Sequence, residues 1–103
     1  METRLCKLTI VYPALAEEAV LDALQADHLG LRGFTTWRAE GNGLGFETAS
    51  TQEKLRGRVA RGILVVIMPR DKVPSTLETV RVKTPIPHLV YWLEPVEEMG
   101  VLK

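Results

Sequence analysis

The order of predicted elements constrains this chain more than any other feature: strand, helix, strand, long loop, strand, helix, strand. The loop spans residues 41–57 and contains four glycines. A compact domain of 103 residues seldom keeps so long a connection without regular structure unless the connection has a function. The sequence therefore predicts a single domain over residues 1–103, a small βαββαβ scaffold that presents one functional loop.

The first half of the chain predicts a strand, a helix and a second strand. Apolar and polar residues alternate over Leu5–Val11, which predicts a strand with Cys6, Leu8 and Ile10 on one face. Pro13 closes this strand and opens a helical pattern over residues 14–25. The apolar side of that helix consists of Ala16, Val20, Ala23 and Leu24. Residues 34–40, rich in aromatic and β-branched side chains, are expected to form the second strand.

The second half repeats this pattern after the loop. Residues 58–68 predict a third strand, and its continuous apolar end is typical of a central strand. Asp71 or Ser75 can cap the second helix, with Pro74 in its first turn. Residues 89–93 predict the fourth strand, with Pro95 ending it. The tail over 96–103 is long enough to add a short edge strand.

Two strand–helix–strand units in series predict an α+β fold, the ferredoxin-like βαββαβ plait, with both helices on one face of an antiparallel sheet. The third strand has apolar residues at consecutive positions. Since side chains alternate between faces, Ile63, Val65 and Ile67 cannot share the helix-covered side with Leu64, Val66 and Met68. An apolar face without helices is usually an interface. We therefore expect an oligomer.

Composition excludes several classes of function. The formal net charge is zero, so no overall field favours nucleic acid or an anionic membrane as partner. One cysteine, Cys6, cannot form an intrachain disulfide, which fits a reducing compartment. No stretch reaches the roughly 20 apolar residues of a membrane span, and Met1 leads directly into strand-like sequence without a signal peptide. The expectation is a cytoplasmic protein without direct membrane insertion.

Catalytic and metal-ligating patterns are weak. His28 and His88 lie in different predicted turns, and Cys6 lies on the predicted core face. No CxxC, HxxxH or HExxH spacing occurs, so we predict no dedicated metal site. No pair of nucleophile and base is evident. The sequence therefore predicts a protein that is not an enzyme.

The long loop contains the residues that indicate ligand binding. Its first residues, 41–45, read Gly-Asn-Gly-Leu-Gly, and alternate glycines allow successive N–H groups to form an anion-binding nest. Four basic residues follow that can bond a phosphate or carboxylate: Lys54, Arg56, Arg58 and Arg61. The alternative interpretation, a solvated hairpin without a ligand, has similar support from the sequence.

With these motifs placed, the chain resembles the PII-like signalling proteins over nearly its whole length. Residues 33–35 and 40–43 look like the Gly-x-Thr and Gly-x-Gly motifs around the base of the family's T-loop, and residues 94–98 are similar to its fourth-strand ending. The likeness is closer to a PII-like branch often encoded near heavy-metal efflux pumps. The segments that match this branch are Leu8 to Pro13, Gly33 to Thr36 and Tyr91 to Gly100.

The resemblance implies a PII-like homotrimer with the sheets facing inward and residues 41–57 as a T-loop-like segment. Nucleotide-binding members hold ATP or ADP in a cleft between subunits. The matching positions, which we predict as ligand-binding, are Thr35, Gly41, Gly43, Arg58 and Arg61. Other positions depart from the family's pattern: Leu44 and Gly45 replace an arginine and a glutamine, and Val90 stands where a phosphate-binding lysine would fall. Losing several bonds to phosphate, each worth about 1.5–3 kcal/mol, argues against tight ATP binding. No bound cofactor is expected.

The sequence leaves three candidate functions. The leading interpretation is a non-enzymatic regulatory protein whose 41–57 segment, mobile in the free protein, responds to a small ligand and docks on a protein partner. The relatives' gene neighbourhood suggests a membrane transporter as that partner. The predicted partner contacts are Leu44, Phe46, Lys54 and Arg56. The alternative is a metal-binding accessory protein of a heavy-metal efflux or resistance system, and a small enzyme is the third candidate.

Overall fold

The computed structural model describes residues 4–42 and 59–103. Within them, the elements follow the predicted order, with three single-turn 3-10 helices added at Ala14–Ala16, Asp27–Leu29 and Arg70–Lys72. No helix of this described part is long and apolar enough to cross a membrane. The strands and α-helices are β1 Leu5–Pro13, α1 Glu17–Leu24, β2 Thr35–Gly41, β3 Val59–Pro69, α2 Val73–Lys83 and β4 Val90–Val96.

The four strands form one sheet in the order β2-β3-β1-β4, and every neighbouring pair is antiparallel. The register places Leu8 of β1 opposite Val66 of β3 and Leu93 of β4. The third strand is central, as its apolar sequence predicted. This arrangement confirms the α+β, ferredoxin-like fold class.

The core lies between the helices and one face of the sheet, which we call the covered face. Alternate residues of β1 and β3 point into it because side chains alternate along a strand. They meet the apolar sides of both helices in one cluster. Cys6 is buried there, as predicted. The main buried side chains are Leu8, Ile10 and Tyr12 of β1, Leu64, Val66 and Met68 of β3, Val20, Ala23 and Leu24 of α1, and Val73 and Val80 of α2.

Tyr12 is fixed by a glycine on the neighbouring strand. It is fully buried and lies opposite Gly62. A Cβ atom on Gly62 would fall 2.3 Å from Cε2 of the Tyr12 ring, so the ring fits because residue 62 has no side chain. The Tyr12 hydroxyl donates a hydrogen bond to Oε1 of Glu17, at 3.0 Å. This contact joins β1, β3 and the start of α1.

The opposite face of the same sheet, the uncovered face, is also apolar. Ile63, Val65 and Ile67 of β3 are half-buried there. Trp37 on β2 is 48% exposed and Trp92 on β4 is 46% exposed, at the two edges of the sheet. The two-sided apolar pattern predicted from the third strand is thus present in the sheet.

Some boundaries differ from the predictions. The first helical segment opens with a 3-10 turn, and neither Asp71 nor Ser75 caps α2 through its side chain. Instead, the Ser75 hydroxyl donates to the Lys72 carbonyl at 3.2 Å. The fourth strand continues through Pro95, which is tolerated because β4 is an edge strand. Residues 97–103 form no strand.

Candidate functional site

The described part of the predicted ligand site lies where β2 ends and β3 begins. Gly41 is the last residue of β2, and Arg61 lies near the start of β3. The Arg61 side chain lies against Gly41: a Cβ atom on residue 41 would fall 2.7 Å from Arg61 Nε and 2.9 Å from its Cγ. The missing side chain at position 41 therefore makes room for the arginine beside the backbone of β2.

Arg61 is a buried cation. It is 5% exposed, and it lies on the uncovered side of the sheet in register with Ala39 and Pro13. The ion pairs described within residues 4–42 and 59–103 are Lys7–Glu94 and Glu78–Arg81. A guanidinium stays protonated in proteins and carries five N–H donors. Since a buried charge requires a compensating group, this position favours an anion.

Thr35 lies apart from these two residues. It begins β2 and pairs with Val65, whereas Gly41 ends the same strand. Five strand residues lie between them, so Thr35 and Gly41 are about 20 Å apart along an extended strand. Within one subunit, the structure brings Gly41 and Arg61 together and leaves Thr35 at the far end.

Several predicted site residues lie outside the described residues. They are the ligand-binding positions Gly43 and Arg58 and the partner-binding positions Leu44, Phe46, Lys54 and Arg56. The same holds for most of the 41–57 segment and its predicted mobility. Of that segment, the described part comprises Gly41 and Asn42.

The residues with soft metal-ligating atoms are dispersed. His28 Nε2 lies 3.1 Å from the Thr79 hydroxyl, whereas His88 lies in the turn before β4. Burial raises the pKa of the Cys6 thiol, with Arg70 opposing the shift. In the described ranges, no three His, Cys, Asp or Glu residues lie close enough to hold a metal ion.

Sequence analysis missed a polar contact on the uncovered face. Lys7 Nζ lies 3.2 Å from Oε1 of Glu94, and the Trp92 indole N–H donates to that same oxygen at 3.1 Å. Lys7 and Glu94 are paired across β1 and β4. The alternation of β1 puts Lys7 on the face opposite Cys6 and Leu8, but its pairing with Glu94 follows from the β1–β4 register, which the sequence pattern does not show.

Comparisons with known proteins bear on the family and the fold of the chain. The family model described as "Protein of unknown function (DUF3240)" matches residues 2–103. No curated protein sequence matches the chain. A DUF3240 family protein from Shewanella baltica OS155 superposes with a TM-score of 0.76 at 16% identity, over 100% of both chains.

Two further solved structures are PII proteins. CPII, a nitrogen regulatory PII-like protein from Thiomonas intermedia K12 solved with ADP, AMP and bicarbonate, has a TM-score of 0.69 at 20% identity, over 95% of this chain and 96% of that one. Arabidopsis thaliana PII bound to citrate has a TM-score of 0.70 at 16% identity, over 98% and 82%. The resemblance stated from the sequence motifs is confirmed: the chain belongs to the DUF3240 family and has the PII-like fold.

Proposed function

We propose that this protein is a non-enzymatic, cytoplasmic regulator of the PII-like type that binds a small anion at the base of its 41–57 segment. The observation that carries the proposal is Arg61, a 5%-exposed cation that lies against Gly41 where that segment leaves the sheet. An anion bound there would compensate the buried charge and contact the segment's first residues. Ligand occupancy would thereby influence a surface available to a partner.

The anion site is completed, in this proposal, by a second copy of the chain within a homotrimer. The uncovered face is too apolar to favour contact with water, which supports its burial between subunits. Thr35 pairs with Val65, four residues along β3 from Arg61 and so about 13 Å away, and the Arg61 side chain lies against Gly41, on the side away from Thr35. Thr35 of a neighbouring subunit can supply a hydroxyl to the same anion if the sheets close around a common axis.

The class of ligand follows from the positive charge of Arg61 and from the positions at which this chain differs from the nucleotide-binding PII-like pattern. Of the solved neighbours, CPII is reported with ADP, AMP and bicarbonate and the Arabidopsis protein with citrate, all of them anions. In this chain, Val90 occupies the position of the family's phosphate-binding lysine. A carboxylate or a single phosphate group therefore fits this site better than a nucleoside triphosphate.

Calorimetry tests the anion site directly. The full-length protein is titrated with bicarbonate, citrate, AMP, ADP and ATP, beside two variants, Arg61→Gln and Arg38→Gln. Arg38 is an exposed arginine of the neighbouring strand, on the opposite face, and serves as the matched control. We expect at least one anion to bind, Arg61→Gln to weaken it at least tenfold, and Arg38→Gln to leave it unchanged. No binding, or equal binding by all three proteins, would refute the site.

We further propose that the segment docks on a protein partner, a membrane transporter, through Leu44, Phe46, Lys54 and Arg56. A purified heavy-metal efflux pump in detergent should protect the bonds between residues 41 and 58 from limited proteolysis. Phe46→Ala should abolish this protection, whereas Leu15→Ala, which truncates an apolar side chain exposed elsewhere on the surface, should retain it. If the pump protects neither protein, the docking proposal fails and the anion site stands separately.

The metal-binding accessory function is not favoured by any observation in the described residues. The same calorimeter tests it with copper, zinc, cobalt and nickel ions. If a metal ion binds and His28→Ala or His88→Ala abolishes the binding, this alternative replaces the regulatory proposal.

A further inference from the structure

The sheet ends in two edge strands, and both carry aromatic side chains at the surface. These strands are β2 and β4, of seven residues each. Trp37 on β2 and Tyr91 and Trp92 on β4 are about half exposed. An edge strand also presents a row of backbone N–H and C=O groups, which favours pairing with another chain. Both edges of this sheet are therefore suited to contact with a second copy.

Trp37 requires an acceptor that its own copy does not place nearby. Burial of the uncovered face would take the Trp37 indole N–H out of water, and a buried indole N–H normally bonds to an acceptor. Among the residues of the four strands, Glu94 is the one carboxylate on this face. Since β3 and β1 lie between β2 and β4, the two edges of one sheet are about 14 Å apart. A contact between Trp37 and Glu94 therefore needs a second copy.

Glu94 has the capacity for this contact. The Lys7 ammonium and the Trp92 indole N–H of the same copy both approach its Oε1. A carboxylate offers about four acceptor positions on its two oxygens. A third donor can therefore bond to Glu94 without displacing the other two.

Antiparallel pairing of β4 with β2 of the next copy brings the two residues together. All neighbouring strands of the sheet are antiparallel, and β4 beside β2 continues this alternation. When all seven residues of each strand pair, Trp37 lies opposite Glu94 and Ala39 lies opposite Trp92. Side chains in such pairs have Cβ atoms about 4.5–5.5 Å apart. The small Ala39 also leaves room for the Trp92 ring.

The tilt of strands in closed sheets gives the same register independently. Trp37 is level with Val90, through the pairs Trp37–Ile63, Ile63–Val11 and Val11–Val90. Glu94 lies four residues further along β4, which is about 13 Å. Four strand spacings, about 19 Å, separate β2 of adjacent copies, and a tilt of about 35° displaces the next copy by about 13 Å along the strands. With the usual right-handed crossovers and strand twist, this displacement is towards Glu94.

We propose that β4 of each copy pairs with β2 of the next copy along all seven residues, and that the Trp37 indole N–H donates to the Glu94 carboxylate across this pairing. The contact joins two different edges, so it is heterologous and closes three copies into a ring. The inference rests on the homotrimer proposed above. It replaces the neighbour's Thr35 in that proposal, because Thr35 then lies opposite Val96, at the far end of the pairing from Gly41.

Cross-linking tests the register. In a Cys6→Ala background, Thr36→Cys and Pro95→Cys place one thiol on each edge, at exposed positions that the register sets opposite each other. Diamide, which takes up the two hydrogens of a thiol pair, should give disulfide-linked dimers and trimers on a non-reducing denaturing gel. The matched control is Arg38→Cys with Pro95→Cys. Its Cβ atoms would be about 7–8 Å apart, too far for a disulfide, so it should run as the single chain.

Mixed isotope labelling tests the hydrogen bond. Copies labelled with 15N and copies labelled with 13C are unfolded in urea and refolded together. We expect a nuclear Overhauser cross peak between the 15N-bound indole proton of Trp37 and the 13C-bound side-chain protons of Glu94, which can arise only between copies. The Trp92 indole, bonded to Glu94 within one copy at 3.1 Å, is the control. It should give its cross peak in uniformly double-labelled protein and none in the mixed assembly.

Two results in a protein that sediments as a trimer would overturn the proposal while leaving the trimer intact. The first is an absence of cross-linking, or equal cross-linking of the two cysteine pairs. The second is an absence of the Trp37–Glu94 cross peak from the mixed assembly. A protein that sediments as one subunit would refute the homotrimer and this pairing together, whereas the calorimetry of Arg61→Gln decides the anion site separately.

Discussion

The two faces of the sheet are formed by the same strands but have different surroundings. On the covered face, Leu64, Val66 and Met68 of β3 are at most 2% exposed beneath two helices. On the uncovered face, the intervening residues Ile63 and Val65 are equally apolar yet only half-buried. The comparison shows that β3 is composed for burial on both sides, whereas the chain's own helices cover one.

This difference has an energetic consequence. Moving a Val, Ile or Leu side chain fully out of water gains about 1.5–3 kcal/mol. On the covered face, this free energy of burial is gained when a single chain folds. On the uncovered face, the remaining gain, including that of the half-exposed Trp37 and Trp92, would be obtained if other copies of the chain packed there, as proposed above. We therefore expect assembly to bury the uncovered face as the helices bury the covered face.

The largest effect should come from a charge placed at the centre of the uncovered face. In Val65→Glu, the carboxylate would be buried without a partner in the assembly, at a cost of about 3–5 kcal/mol. We expect the assembly to dissociate while circular dichroism retains the secondary structure, because Val65 points away from the core.

The matched control for this variant is Val82→Glu on α2, where the valine is 67% exposed. It should leave both the assembly and the free energy of unfolding unchanged. If Val65→Glu behaves like Val82→Glu, the uncovered face is not an interface.

The covered face is tested by Gly62→Ala. The new Cβ would lie 2.3 Å from the buried ring of Tyr12, so β3 or the ring must shift. Overpacking of this kind typically costs about 1–3 kcal/mol, and we expect the upper end of that range in urea unfolding. Gly33→Ala is the control, since its Cβ meets nothing within 4 Å. A stable Gly62→Ala protein would mean that Tyr12 is not held as described.

The pH dependence of stability separates the two faces further. Burial, followed by the hydrogen bond and charge of Glu17, raises the pKa of Tyr12 from 10.0 to about 12. Below pH 10 the phenol is neutral in both the folded and unfolded states, so it contributes no pH dependence. Between pH 10 and 12 the unfolded state ionises first, so folding stability falls by about 1.4 kcal/mol per pH unit.

Urea midpoints measured from about pH 9 to about pH 12 check this slope, which is governed by proton linkage. Tyr12→Phe should lack this contribution and should lose about 1 kcal/mol at neutral pH, through the missing bond to Glu17. Equal slopes for both proteins would place the Tyr12 pKa near that of an exposed phenol.

The smallest effect is expected at the ion pair on the uncovered face. The Lys7 and Glu94 side chains are 37% and 48% exposed, so Glu94→Gln should change the free energy of unfolding by less than about 1 kcal/mol. Glu78→Gln, which breaks a more exposed pair on α2, is the control and should change it no more. A loss above about 3 kcal/mol would show that the assembly buries the Lys7 pair completely.

Much of the fold could be predicted because its signals are local. Alternation along β1 placed Cys6 and Leu8 in the core, and the continuous apolar end of β3 indicated a central strand with two buried faces. Tyr12 and Gly62 could also have been recognised, since Tyr12 continues the alternation and a glycine inside a strand often marks close approach by a neighbour.

What could not be predicted depends on tertiary position. Pro95 fits within β4 because that strand lies at the sheet edge, which the residue type alone does not reveal. Of the residues predicted to bind a ligand, Gly41 and Arg61 lie together, whereas Thr35 lies apart because it is at the opposite end of β2.

We propose that the uncovered face is the interface between three copies of the chain. Sedimentation velocity of the 103-residue chain at micromolar concentration measures the mass of the assembly. We expect a single species with three times the subunit mass of 11.5 kDa. A species with the mass of one subunit would contradict it.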